Sequence, residues 1–108
     1  MKIEKVLYML PHAMELASKR LGIRTLRESE LTVLYVIRNA GVPPGKCAIH
    51  RYLGKMKHPA SYVTVHHACD WLVEVGLIER SGTKYSLSYR GKDYLHAVRR
   101  YMIHRRIS

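Results

Sequence analysis

Two short stretches carry the side chains that can do chemistry. In "KCAIHRYL", Cys47 and His50 stand three apart; in "SYVTVHHACDWLVE", His66 and Cys69 do the same. Residues three apart share a side of a helix. The two pairs, C-x2-H and H-x2-C, are therefore four donors of the type a tetrahedral zinc ion takes. Cys47 with His50 also has the composition of a thiol nucleophile and its base. Both readings weaken on inspection. Cys69 falls on the apolar face of its helix, where a small thiol is ordinary core, and His66 points well round from it. The chain holds no Gly-rich phosphate loop, no H-E-x-x-H and no G-x-S-x-G, and its few acidic residues are scattered. We expect no catalytic residue, no metal and no cofactor.

The second set of polar side chains reads better as a surface. At 100° per residue, Ser61, Val65, Ala68, Cys69, Leu72 and Gly76 line one face of a helix, placing Tyr62, Val63, His66, His67, Asp70 and Glu74 opposite. A tyrosine and two histidines thus face outward near the helix start, and a basic hairpin follows at once. The charge agrees: 19 Lys and Arg against 8 Asp and Glu give +11 and a sequence pI near 10.0. A domain of 108 residues with that excess suits a polyanion, nucleic acid first. At 47% apolar the chain is globular, and no apolar run approaches the roughly 20 residues of a membrane span. Two cysteines make no disulfide framework, and "MKIEKVLYML" lacks a signal-peptide core, which implies a reducing, cytoplasmic setting.

These surfaces need elements to hold them. Ile3, Val6, Leu7, Leu10, Met14, Ala17 and Leu21 recur at helical spacing, with Met9, Ala13 and Leu16 widening the sector; Pro11 predicts a kink or two successive helices. A second helix follows, with Thr25 and Glu28 spaced as a capping box, Ser29 as a second N-cap candidate, Leu31, Leu34 and Ile37 lining one face with Val33 beside it, and Gly41 as its stop. "VPPG" turns the chain into a short helix over 46–55 that buries Ile49 and Leu53. The next helix starts at Pro59 or Ser61 and runs to about Val75. "GLIER" and "KYSLSY" then form a hairpin, with Tyr85, Leu87 and Tyr89 alternating on one side. Ser88 caps a last helix that buries Leu95, Val98 and Met102. The expected class is mainly α with a small β-hairpin, an α+β chain of one domain over residues 1–108. It divides into an N-terminal helical extension over 1–24, a core over 25–90 and a C-terminal helix over 91–108.

The ordered string "SYVTVHHACDWLVEVGLIERSGTKYSLSYRGKDYL" resembles the winged helix-turn-helix domains of MarR-like and PadR-like bacterial and archaeal transcription regulators. It holds a recognition helix opened by serine, with Thr-Val one turn in and an aspartate further on. Gly-Leu-Ile-Glu-Arg, a wing and Y-x-L-x-x-x-G follow, leading into a closing helix. The similarity covers roughly residues 29–95. It implies a double-stranded DNA-binding regulator with recognition helix 59–75 in the major groove and wing 78–88 on the backbone or minor groove. Tyr62, Val63, His66 and His67 become base-contact candidates. Lys46, Lys55, Lys57, His58, Ser61, Thr64, Arg80, Thr83, Lys84, Arg90 and Lys92 become backbone-contact candidates. The reader positions depart from the usual pattern in lacking Arg, Asn and Gln, the bidentate partners of guanine and adenine, so direct selectivity is expected to be modest. Asp70 is expected to pair with a wing or helix arginine, or to stay solvated.

The resemblance also implies a homodimer through the terminal helices and a nucleoid-associated location; the rival reading of the C-terminal helix is a basic amphipathic surface that touches phosphate or an anionic membrane, and no membrane partner is expected. Two rival readings keep the fold: a replication or recombination accessory factor of a mobile element, and a winged-helix protein-interaction module built on Tyr62 and Val63. RNA binding has less support, because no aromatic platform on a sheet is apparent.

Overall fold

Five helices and one hairpin follow in the order α1 (Ile3–Leu21), α2 (Glu28–Asn39), α3 (Lys46–Leu53), α4 (Tyr62–Glu74), β1 (Ile78–Ser81), β2 (Lys84–Leu87) and α5 (Tyr89–Ile107). The structure is a computed structural model; it describes residues 3–56 and 60–107, with side-chain surroundings for 10–56 and 60–102. By internal packing the chain divides into two compact units, one of residues 1–26 with 92–108, the other of residues 27–91.

In the first unit, α1 continues through Pro11 as one helical segment, so the expected division into two helices does not occur. Pro11 is exposed, where its ring meets solvent and its missing N–H costs one ladder bond. Ala13, Met14 and Ala17 are buried; the apolar positions expected to be inward over residues 3–9 fall outside the described side chains. Within this unit Tyr94 is fully buried, and its hydroxyl meets Ser18 Oγ at 3.2 Å. The Tyr94 hydroxyl also donates to the Met14 carbonyl at 3.5 Å, so these buried polar atoms have partners. Leu95 and Val98 are buried as the spacing predicts, whereas Met102 is only half-buried.

The second unit is a winged helix. Leu31, Val33, Leu34, Val36 and Ile37 of α2 are buried, as are Ile49 and Leu53 of α3 and Val65, Ala68, Cys69 and Leu72 of α4. The start of α2 differs from the expected capping box at Thr25 and Glu28. Its N-cap is Arg27, whose backbone N–H donates to Glu30 Oε1 at 2.6 Å. Only that half of a box can form, because an arginine side chain has no acceptor. At the other end Ala40, in an extended conformation, is the C-cap; Gly41 follows without a left-handed φ.

Helix α4 ends at a left-handed glycine, as expected. Gly76 has φ 81°; its N–H donates to the Val73 carbonyl and that of Leu77 to the Leu72 carbonyl. The two bonds satisfy the last carbonyls of the helix and turn Leu77 and Ile78 into the core. The hairpin then pairs Ile78 with Leu87 and Ser81 with Lys84, and the Tyr85 N–H reaches back to the Pro44 carbonyl at 2.9 Å. The "VPPG" segment thereby contributes an acceptor to the ribbon's edge. Tyr89 is a correction: it opens α5 and is 85% exposed, because Ser88 ends the alternation. The Ser88 hydroxyl accepts from Gly91 N–H at 3.0 Å and donates to the Gly76 carbonyl at 2.6 Å, joining two helix ends through one side chain.

Candidate nucleic-acid interface

Because the apolar positions of α4 are taken into the core, its first turns must present the others outward. Ser61 opens the helix as N-cap, its Oγ accepting from Thr64 N–H at 3.2 Å and meeting Thr64 Oγ1 at 2.9 Å. Tyr62 and Val63 are then 44% and 61% exposed, and His67 is exposed one turn on. Tyr62 leans edge-on against His50 of α3, with ring centroids 5.8 Å apart at 87°. That contact limits where the phenol can point.

His66 differs from its neighbours. Its Nδ1 lies 2.7 Å from Lys46 Nζ and its Nε2 lies 3.2 Å from Asp70 Oδ2, while Lys46 Nζ also donates to Asp70 Oδ1 at 3.1 Å. An ammonium has no acceptor, so Nδ1 must accept and the ring hydrogen sits on Nε2, directed at the carboxylate. Lys46 is the first residue of α3, so this three-way contact fastens α3 to α4. Asp70 therefore pairs with a lysine and a histidine in place of an arginine, and its side chain stays half exposed to solvent. The Lys46 hydrogen bond, ahead of the cost of burial and of the fields of Lys46, His66 and Arg80, holds the Asp70 carboxyl below its usual range. For Lys46, burial acts to lower the pKa, but hydrogen bonds to Asp70 and to the Tyr85 hydroxyl outweigh it and the value is raised.

The depressed carboxyl fixes a sign. A group whose native pKa is lowered stabilises the fold above its unfolded value, about 4, and that contribution is lost as pH falls through the native value. Asp70→Asn is therefore expected to flatten the acid limb of the urea midpoint against pH. The effect should not exceed about 1 kcal/mol, since the carboxylate is half exposed and screened by solvent. An unchanged acid limb would assign the pair no role in stability.

The remaining cations have separate surroundings. Arg80 Nε donates to the Gly82 carbonyl at 2.8 Å, which pins the guanidinium stem at the wing tip, and Thr83 and Lys84 are exposed there. Lys55 is exposed just past α3. Arg90 Nε donates to the Val75 carbonyl at 2.9 Å, at the end of α4 away from its reader turns. Lys92 belongs to the other unit, and Lys57, His58 and Pro59 lie outside the described residues. One lining cation was missed: Arg51, which with Lys46, Arg80, Lys84, Tyr62 and Tyr85 borders an open cleft of about 500 Å³ between α3 and the wing. Its spacing of four from Cys47 on the same helix was the available signal.

The four candidate zinc donors separate. His50 meets Tyr62, His66 is held by Lys46 and Asp70, Cys47 is exposed and Cys69 is fully buried. Burial, ahead of the opposing field of Lys46 and the reinforcing one of Asp70, pushes the Cys69 thiol up to about 11, so it is poorly disposed to ligate. Among the described residues no three His, Cys, Asp or Glu side chains gather as a metal would require, and no helix is long and apolar enough to cross a membrane.

The hairpin-bearing three-helix unit with helices before and after it defines a winged helix-turn-helix fold of the α+β class. The solved structures that share it include these two. One is the activation domain of the phage T4 transcription factor MotA, at 15% identity and TM-score 0.71 over 91% of this chain and 94% of that one. The other is RV1404 from Mycobacterium tuberculosis, at 17% identity and TM-score 0.72 over 93% of this chain and 66% of that one, so the chain spans just under two thirds of its length. No protein-family model and no curated protein matches the sequence.

Proposed function

We propose that this chain binds double-stranded DNA and regulates transcription, with α4 in the major groove and the β1–β2 wing on the adjacent backbone. The observation that carries this reading is the uncovered start of α4. Tyr62, Val63 and His67 stand outward on a helix whose opposite face is locked in the core, with the cations of the wing beside them. A helix enters the groove by its N-terminal half, so donors there reach base edges. Likeness to a transcription-factor domain supports the class of role.

Lys46 and His66 take different parts in this scheme from those the spacing suggested. Their hydrogen bonds face each other and Asp70, so we assign them to positioning α4 against α3. Tyr62, Val63 and His67 are left as the base readers. Lys55, Thr83, Lys84 and the Arg80 guanidinium supply phosphate contacts, with Ser61 and Thr64 adding their hydroxyls. Two copies joined through the terminal helices would read a two-fold site; sedimentation equilibrium tests that.

Selection from a random duplex pool followed by sequencing of the retained fraction tests the function directly. Failure to retain any duplex at low ionic strength rejects it. Lys84→Ala is then expected to reduce the slope of log affinity against log salt by about 0.9, one phosphate contact, and to leave the selected consensus intact. A changed consensus would move Lys84 from backbone to base contact.

A second reading has its own observation. Tyr52, Met56, Tyr62 and Val63 are all exposed near the α3–α4 junction, and one structural neighbour is an activation domain. A surface of that kind fits a protein partner. Salt-sensitive duplex affinity separates the two, because a protein-contact module would hold DNA weakly and without sequence preference.

A further inference from the structure

The cleft between α3 and the wing collects cations from three elements. Lys46 and Arg51 come from α3, Arg80 from β1 and Lys84 from β2, and none of the residues bordering it carries a carboxylate. Lys84 Nζ lies 4.0 Å from the point a β-carbon on Gly45 would occupy, so the ammonium overhangs the residue that opens α3. That helix has no acidic residue in its first turn and no side-chain cap. Asp70, outside the cleft, pairs with Lys46 and acts on Arg80 through its field; no carboxylate lines the cleft beside Arg51 or Lys84. Like charges converging on one open space repel, and an anion placed among them removes that cost.

The shape adds to the charge. A volume of about 500 Å³ lies in the range of small-molecule sites, roughly 300–1,000 Å³, and exceeds what one inorganic anion fills. Tyr62 forms part of the wall as a half-exposed ring held by His50, a flat surface on which a base can stack. We infer that the cleft seats a small phosphorylated molecule of about the size of a nucleoside monophosphate. Its phosphate lies between Arg51, Arg80 and Lys84, and its planar portion lies against Tyr62. Guanidinium groups suit such an anion because they bind it through paired N–H donors.

Tyr62, Arg80 and Lys84 also belong to the proposed duplex face, so occupancy of the cleft and binding of DNA exclude each other. That regulatory consequence rests on the DNA-binding reading; the site itself does not. The test is calorimetric titration of the full chain with AMP, adenosine and inorganic phosphate, repeated on the Arg51→Gln/Lys84→Gln double variant. AMP is expected to bind at least tenfold more tightly than adenosine or phosphate alone, and the double variant to lose at least tenfold in AMP affinity with its thermal midpoint unmoved. AMP is further expected to displace a bound duplex. Absence of AMP binding at millimolar concentration, equal affinity for adenosine, or an undiminished double variant overturns the site. AMP binding by a chain that ignores duplex DNA upholds the site and removes the DNA-binding reading. A duplex complex indifferent to saturating AMP overturns the exclusion.

Discussion

Gly91→Ala is expected to destabilise the winged unit by about 3 kcal/mol or more. A β-carbon at Gly91 would overlap the Leu77 carbonyl oxygen and fall 2.8 Å from a Leu87 methyl. The first neighbour is backbone, fixed because Leu77 closes the end of α4 and accepts from Ser88 N–H at 3.2 Å. The second belongs to the strand that pairs with β1. Relief would require α5's first turn to move off the hairpin, breaking the Ser88 cap that accepts from this same residue's N–H. Overpacking of a core typically costs about 1–3 kcal/mol, and a clash with fixed backbone belongs at or above the top of that range. Gly82→Ala provides the contrast. Gly82 has φ 62° but nothing within 4 Å of an added β-carbon, so only the left-handed strain of roughly 1–2 kcal/mol applies. Urea midpoints of the two variants check this: equal losses would mean that the approach of α5 to Leu77 is not a tight one.

Removing the reader side chains gives the second large effect. Tyr62→Ala with His67→Ala is expected to lower affinity for the selected duplex on the order of a hundredfold, two contacts at about 1.4 kcal/mol each. Binding to an unrelated duplex should hardly change, because the non-specific term is made by cations on phosphates and neither residue is one of the assigned phosphate contacts. Stability should also hold, since both are exposed. His66→Ala alone should behave differently. It deletes the acceptor that holds Lys46 Nζ and the donor to Asp70, so the α3–α4 junction loosens and both kinds of duplex binding fall together. Competition titrations with selected and scrambled duplexes distinguish these results. Equal losses on both duplexes in the Tyr62/His67 variant would take those residues out of base readout.

Much of this was legible in the residues. The period of the apolar positions assigned Leu31, Leu34, Ile37, Ile49, Leu53, Val65, Ala68, Cys69 and Leu72 to the core, because burial is a local demand that each helix satisfies with one face. By the same arithmetic Tyr62, Val63 and His67 were left outside. Gly76 and Ser88 announced their helix ends through chemistry confined to a few neighbouring residues: a left-handed φ in one case, a hydroxyl cap in the other. Where local signals competed, the outcome followed packing. Pro11 did not divide α1, Thr25 lost the α2 cap to Arg27, and Tyr89 left the strand for a helix.

What pairing across the fold decided was out of reach of spacing. Lys46 and Asp70 are 24 residues apart, and nothing in either position says that an α3 ammonium will choose that carboxylate and the His66 ring over solvent. The cleft is of the same kind. Arg51, Arg80 and Lys84 lie on three different elements, and only the way the hairpin folds back toward α3, with Tyr85 bonded to Pro44, brings their charges onto one opening. Periodicity along a chain reports which side of an element is apolar. It holds no information on which elements approach, and electrostatic partners are chosen by that approach.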